Sequence, residues 1–144
     1  MSEMGARLLI RTLDALDTLT PIPQDHSRAT LAPRLKKEDG WLRLEEPAPS
    51  LVSRIRGTNP WPGAAVMTPA GRLLIWRATA VPHASAAPPG SLILSGPGAL
   101  AVATGEGLLL PVQVQPENRK AMAWEDFLRG ARLSARARLT EIHG

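Results

Sequence analysis

Between Ala64 and Gln115 the chain breaks into short apolar runs at close intervals, each cut off by glycine or proline, and this punctuation constrains the fold most. The runs are 64–67, 72–81, 91–95, 100–104 and 108–115. Between them lie Pro69-Ala70-Gly71, a loop from Pro82 to Gly90, Gly96-Pro97-Gly98 and Gly105-Glu106-Gly107. Apolar runs this short, bounded by turn formers, read as strands. Five strands joined this closely predict a small curled sheet of mainly β character, a barrel with short helices attached. Pro111 removes a ladder donor from the last strand, so that strand is expected to bulge or lie at an edge there, leaving the barrel partly open.

The flanks carry helical signals. Residues 48–56 place Pro49 in a first turn, Leu51, Val52 and Ile55 on one side, and Gly57 as a stop. Residues 121–129 predict a second short helix ended by Gly130, with Trp124, Phe127 and Leu128 on its apolar side. Residues 3–17 read as an amphipathic helix in which Met4, Leu8, Leu9, Leu13 and Leu16 recur near helical spacing. The segment from Thr18 to Gly40 loses that period and carries Pro21, Pro23 and Pro33. The expected organisation is therefore a helix in 1–20, a linker over 21–40, the barrel over 41–130 and a basic tail over 131–144.

Seventeen Lys and Arg against thirteen Asp and Glu give a formal charge of +4, which favours polyanionic partners. From Arg119 to Arg138 six basic residues face two acidic ones, Glu125 and Asp126. The excess reads either as a solvated face with a frayed tail or as a phosphate-binding surface. If a helix continued beyond Gly130, Arg129, Arg132 and Arg136 would form a basic ridge. The chain has no cysteine, which excludes disulfides, thiolate zinc sites and thiol nucleophiles. Charged residues interrupt the first twenty positions, and no segment is long and apolar enough to span a bilayer. These features predict a cytoplasmic protein with no membrane association.

Little here supports catalysis. His26, His83 and His143 fall in the linker, a loop and the chain end, without partners at metal-ligand spacing, so no metal site is expected. The acidic pairs Glu45-Glu46 and Glu125-Asp126 point apart on regular structure and read as surface charge, with Glu125 placed to pair with Arg129 four residues on. The better chemical reading is binding of a nucleic-acid backbone. Lys36 and Lys37 precede the barrel, Arg54 and Arg56 close its first helix, Arg72 and Arg77 lie on the long strand, and Arg119 and Lys120 follow the last strand. With no Tyr, one Phe and four Trp, and with Trp61, Trp76 and Trp124 expected in the core, backbone tracking is favoured over base stacking.

One stretch is more specific than the rest. Arg54-Ile55-Arg56-Gly57-Thr58-Asn59-Pro60-Trp61-Pro62-Gly63-Ala64 joins a helix end to a proline-locked structural turn, Pro60, Trp61, Pro62 and Gly63. Read with Ala29 to Gly40 upstream, and with Val112 to Gln115, Lys120, Met122 and Asp126-Phe127-Leu128-Arg129-Gly130 downstream, it resembles the carboxy-terminal part of methionyl-tRNA formyltransferases. The resemblance implies an OB-like barrel whose basic surface holds tRNA, preceded by the last helix of the catalytic domain and its linker. It also implies that the catalytic Asn, His and Asp, and the 10-formyltetrahydrofolate they use, belong to a domain this sequence does not contain. No Asn-x-His occurs, Asn59 and Asn118 are explained by turns, and the chain alone is expected to be inactive. Three departures from the family pattern stand out. Arg43-Leu44 replaces Asp-Trp, Leu74 stands where lysine is common, and Pro116-Glu117-Asn118 replaces a glycine-containing turn. Sugar-nucleotide formyltransferases carry a similar barrel, so an accessory role in such an enzyme is an alternative. Another is a protein-interaction module docking through residues 3–17, onto a second copy or a separate catalytic chain.

Overall fold

A computed structural model describes residues 2–84, 86–96 and 99–142. Two compact units are present, Met1–Pro33 and Arg34–Gly144. The first contains helix α1 (Ser2–Asp14), a 3-10 turn at Leu16–Thr18 and another at His26–Arg28. No residue of α1 is buried, and Met4, Leu8, Leu9, Ile10 and Leu13 are all exposed. In the irregular stretch that follows, Asp25 accepts both the backbone N–H and the hydroxyl of Ser27, which holds its carboxyl below the ordinary value.

The second unit is mainly β. Helix α2 (Ala48–Gly57) leads into strands β1 (Ala64–Thr68), β2 (Gly71–Val81), β3 (Leu92–Leu94), β4 (Leu100–Ala103) and β5 (Leu108–Pro116). Strand β6 (Met122–Ala123) and helix α3 (Trp124–Gly130) follow. The strands are antiparallel neighbours in the order β1-β2-β5-β4-β3, with β6 paired to β5 beyond the end of β4, so the sheet curls into an open half-barrel. Its concave face holds Val66, Leu73, Ile75, Val102, Leu109 and Val114, covered by Leu51 and Ile55 of α2 and by Trp124, Phe127 and Leu128 of α3.

Several expectations are refined here. The register of β2 against β5 slips twice, at Trp76 and at Val112, so a bulge does sit beside Pro111. Strand β5 is nevertheless central rather than an edge, because β2 flanks one side while β4 and β6 share the other. Met122 and Ala123, expected to open a helix, instead pair with Val114 and Gln113, and α3 starts at Trp124. Arg129 bonds Asp126 rather than Glu125, three residues away on the same helix face.

The basic ridge does not form. Helix α3 ends in a Schellman turn: Leu133 N–H donates to the Leu128 carbonyl at 3.0 Å, Arg132 N–H donates to that of Arg129 at 3.2 Å, and Arg132 takes φ 52. The chain turns there, so Arg132 and Arg136 do not extend the face of Arg129.

Nor do residues 131–142 stand off as a frayed tail. Thr140 and Met67 exchange two backbone hydrogen bonds at 2.9 Å, Leu139 N–H donates to Gly90 O at 2.8 Å, and Leu92 N–H donates to Ala137 O at 3.2 Å. The segment thus spans the gap between the two free edges of the sheet, β1 and the start of β3, and drives Leu139 into the core at 1% exposure. Gly90 is required at this crossing, since a Cβ there would lie 2.1 Å from the Leu139 carbonyl oxygen. Leu44, one of the three departures, is a core residue at 2% exposure.

Candidate nucleic-acid interface

The proline-tryptophan turn is built onto the convex face of the sheet. At the end of α2, Thr58 donates from both its backbone N–H and its hydroxyl to Arg54 O, each at 2.9 Å, and Gly63 N–H closes the turn onto Thr58 O at 2.9 Å. The peptide bonds before Pro60 and Pro62 are cis. Gly63 rests on Leu74 and Trp76, and a Cβ on Gly40 would lie 2.1 Å from the Gly63 carbonyl oxygen, so the 3-10 turn Lys37–Gly40 is seated directly on it. Leu74 is thereby explained: where a lysine was expected on family grounds, an apolar side chain supports the turn.

Trp61 contradicts its expected place in the core. Gly63 is buried against Leu74 and Trp76, while Trp61 remains 56% exposed. Trp124 is buried, and Trp76 is half-buried with its indole N–H donated to Gln115 Oε1 at 2.9 Å.

Gln115 links that layer to the basic residues. It faces Leu74 across the β2–β5 ladder, and its Nε2 donates to Arg119 O at 2.8 Å. Arg119 N–H in turn donates to Pro116 O, and Glu117 N–H to Arg72 O, at 3.1 and 3.2 Å. Asn118 sits at φ 58 in this turn, a conformation asparagine tolerates, which is why a turn without glycine closes. Arg72, Arg119 and Lys120 are therefore gathered at one end of the β2–β5 ladder, all exposed, with Glu117 as the acidic residue of the same turn.

The remaining candidates are dispersed. Arg77 is exposed beyond the Trp76 bulge, about 16 Å along β2 from Arg72 at ~3.3 Å per residue. Lys36 and Lys37 are exposed at the turn that meets Gly63, and Arg56 is exposed on the last turn of α2. Arg54 has a different role. Its Nη2 lies 2.8 and 3.1 Å from the two Glu46 carboxylate oxygens in a half-buried ion pair that ties α2 to the preceding turn. Eight residues separate the two, outside helical pairing distance, so no local pattern announced the pair.

The other chemistry is sparse. His26 and His83 are exposed, and His143 lies outside the described residues, as do Pro97 and Gly98 of the predicted glycine turn. Among the described residues no three His, Cys, Asp or Glu converge as a metal site. No helix among them is long and apolar enough to cross a membrane. Glu45 of the first acidic pair is hydrogen-bonded by Glu141 and by its own backbone N–H and faces Arg138, which together hold its carboxyl below the ordinary value. A cavity of about 190 Å³ lies beside Met122 and Phe127, below the ~300 Å³ at which small-molecule sites begin.

Comparison with known proteins matches this architecture. Residues 34–132 match the family model described as formyl transferase, C-terminal domain. Methionyl-tRNA formyltransferase of Solibacter usitatus is 43% identical over 99% of this chain and 46% of its own length. The Deinococcus radiodurans protein of that name is 38% identical over 96% of this chain and 43% of its own length, and that of Roseiflexus castenholzii 42% identical over 94% and 44%. The chain thus spans less than half the length of these curated relatives. A β half-barrel fronted by a proline-tryptophan turn, matched over 99 consecutive residues, settles the assignment: the chain belongs to the formyl transferase C-terminal domain family.

Proposed function

We propose that this domain holds tRNA through its phosphate backbone and so supports formylation of initiator methionyl-tRNA, with no catalytic residue of its own. The observation that carries this reading is the group Arg72, Arg119 and Lys120, exposed and fixed at one end of the sheet through Gln115 and the Pro116 turn. Lys36, Lys37, Arg56 and Arg77 add charge at other points of the same unit, whereas Arg54 is committed to Glu46. Folate binding and formyl transfer belong to the rest of a formyltransferase, in a cytoplasmic setting.

Fluorescence anisotropy with initiator tRNA at low and high salt tests the proposal. Each neutralised phosphate releases a counterion, so affinity should fall with salt at a log–log slope of about −0.7 to −0.9 per contact. The absence of salt-sensitive binding at micromolar protein would remove it.

A second reading concerns α1. Its exposed Leu8, Leu9 and Leu13 form an apolar stripe with no cover among the described residues. We infer that this stripe docks on the remainder of a formyltransferase, the portion of the relatives' length that the chain does not match. Sedimentation of the chain mixed with such a catalytic chain should show a complex that is lost when residues 1–20 are deleted. A clean monomer, unchanged by the deletion, contradicts it.

A further inference from the structure

We propose that Trp61 is a stacking platform for an unpaired nucleobase, an inference that rests on the RNA-binding reading above and adds a base contact to it. Trp76 and Trp124 have their indole N–H groups committed inside the domain, to Gln115 Oε1 at 2.9 Å and to Leu100 O at 2.6 Å. Trp61 is different: 56% exposed, with no hydrogen bond to its indole among the described residues.

The mount is rigid. Thr58 ties the turn to α2, Gly63 N–H closes it onto Thr58 O at 2.9 Å, and Asn59 Nδ2 reaches Trp76 O at 3.4 Å. Gly63 lies against Leu74 and Trp76, and Gly40 packs against the Gly63 carbonyl. An aromatic ring has two side-chain torsions to fix, and here the backbone beneath it is already ordered, so a partner binding it sacrifices little conformational freedom.

Cations lie on the two elements joined to this turn. Lys37 opens the 3-10 turn that ends at Gly40, with Lys36 just before it, and Arg56 lies on the last turn of α2, two residues before Thr58. An exposed π face with exposed cations on adjoining elements suits single-stranded nucleic acid, which places bases on rings and phosphates on charges. Glu38 and Asp39 share the turn with Lys37 and offset part of its charge. The contribution of Trp61 is therefore stacking rather than electrostatics, and it should be insensitive to salt.

The experiment titrates the full chain with oligoadenylate RNA, an RNA duplex and linear polyphosphate, reading tryptophan fluorescence and anisotropy. Oligoadenylate should quench the fluorescence of the parent chain, and Trp61→Phe and Trp61→Ala should remove that quench. Trp61→Ala should weaken oligoadenylate binding roughly 5- to 150-fold, the range expected for loss of one stacked base. Its salt slope and polyphosphate affinity should stay at parental values, and Trp61→Phe should keep most of the affinity. Because Trp61 is exposed, both variants should melt with the parent chain, which verifies that the fold is intact. Parental oligoadenylate affinity in Trp61→Ala, with binding otherwise measurable, overturns the stacking role and leaves phosphate binding standing. An equal loss toward polyphosphate also overturns it. No RNA binding by the parent chain at low salt overturns both.

Discussion

Replacing Leu139 with alanine tests whether the carboxy-terminal segment closes the barrel. Leu139 is 1% exposed and belongs to the same apolar cluster as Leu44, Val66 and Leu92, although it lies in a stretch rich in arginine. Burying a leucine side chain contributes about 1.5–3 kcal/mol, and the cavity left by alanine adds to that loss. The flanking backbone bonds, exchanged between Met67 and Thr140 and donated by Leu139 N–H to Gly90 O, do not depend on the side chain and should persist. The expected cost is therefore about 2–4 kcal/mol, near the lower part of the range for buried leucines. At about 4 °C per kcal/mol for a unit of this size, the melting midpoint should fall by roughly 8–16 °C in a thermal scan followed by circular dichroism. Gly90→Ala should give a comparable loss from the opposite side of the contact, because its Cβ would lie 2.1 Å from the Leu139 carbonyl oxygen and φ is +90. Arg136→Ala, at an exposed position of the same segment, should leave the midpoint within about 2 °C. If Leu139→Ala also melts within about 2 °C of the parent chain, the segment is not part of the core and the reasoning fails.

Three further outcomes are expected. Arg132→Gly should stabilise the unit by about 0.5–1 kcal/mol, seen as a raised melting midpoint, since Arg132 holds the left-handed position of the Schellman turn that glycine favours. Glu141→Ala should raise the Glu45 titration midpoint, measured by NMR, back toward its reference value of 4.5, because the Glu141 hydrogen bond is the largest of the influences that depress it. A depressed carboxylate contributes stability that is present above its unfolded-state pKa and lost as pH falls through its folded value. Acidification below about 4.5 should thus remove the small, solvent-screened contribution of the backbone N–H and Arg138 from parent and variant alike, since the bond to Glu141 itself needs a proton on one of the two carboxyls. Gln115→Ala should leave the half-buried Trp76 indole N–H without its partner and free the Arg119 turn, costing about 1–3 kcal/mol of stability by chemical denaturation and lowering RNA affinity as well.

Much of the sheet was legible because strand signals are local. The run 72–81 became Gly71–Val81 and the run 108–115 became Leu108–Pro116, since apolar character and glycine or proline punctuation act within a few residues. What escaped the sequence depends on partners distant along the chain. Strand β6 is two residues long and exists only because β5 outruns β4. Leu139 has no apolar periodicity around it, and its place is set by the two sheet edges that it bridges. The helix ends at Gly130 as expected, but the left-handed residue of its closing turn is Arg132, set by the hydrogen bonds of Leu133 and Arg132.

The candidate site was legible as charge and not as geometry. Eight cations were recognisable, yet nothing local distinguished Arg54, which is bound to Glu46, from Arg72, which is exposed. Trp61 was assigned to the core because tryptophan is usually buried. Its exposure goes with the seating of Gly63 against Leu74 and Trp76, a tertiary fact.

We propose that Arg72, Arg119 and Lys120 act together on an RNA backbone. The most direct test is the salt dependence of tRNA affinity for the parent chain and for the triple variant Arg72→Ala, Arg119→Ala, Lys120→Ala. The parent chain should show a negative log–log slope that flattens by about 2 to 2.7 in the variant, one counterion for each lost contact. A variant slope equal to the parental one would contradict it.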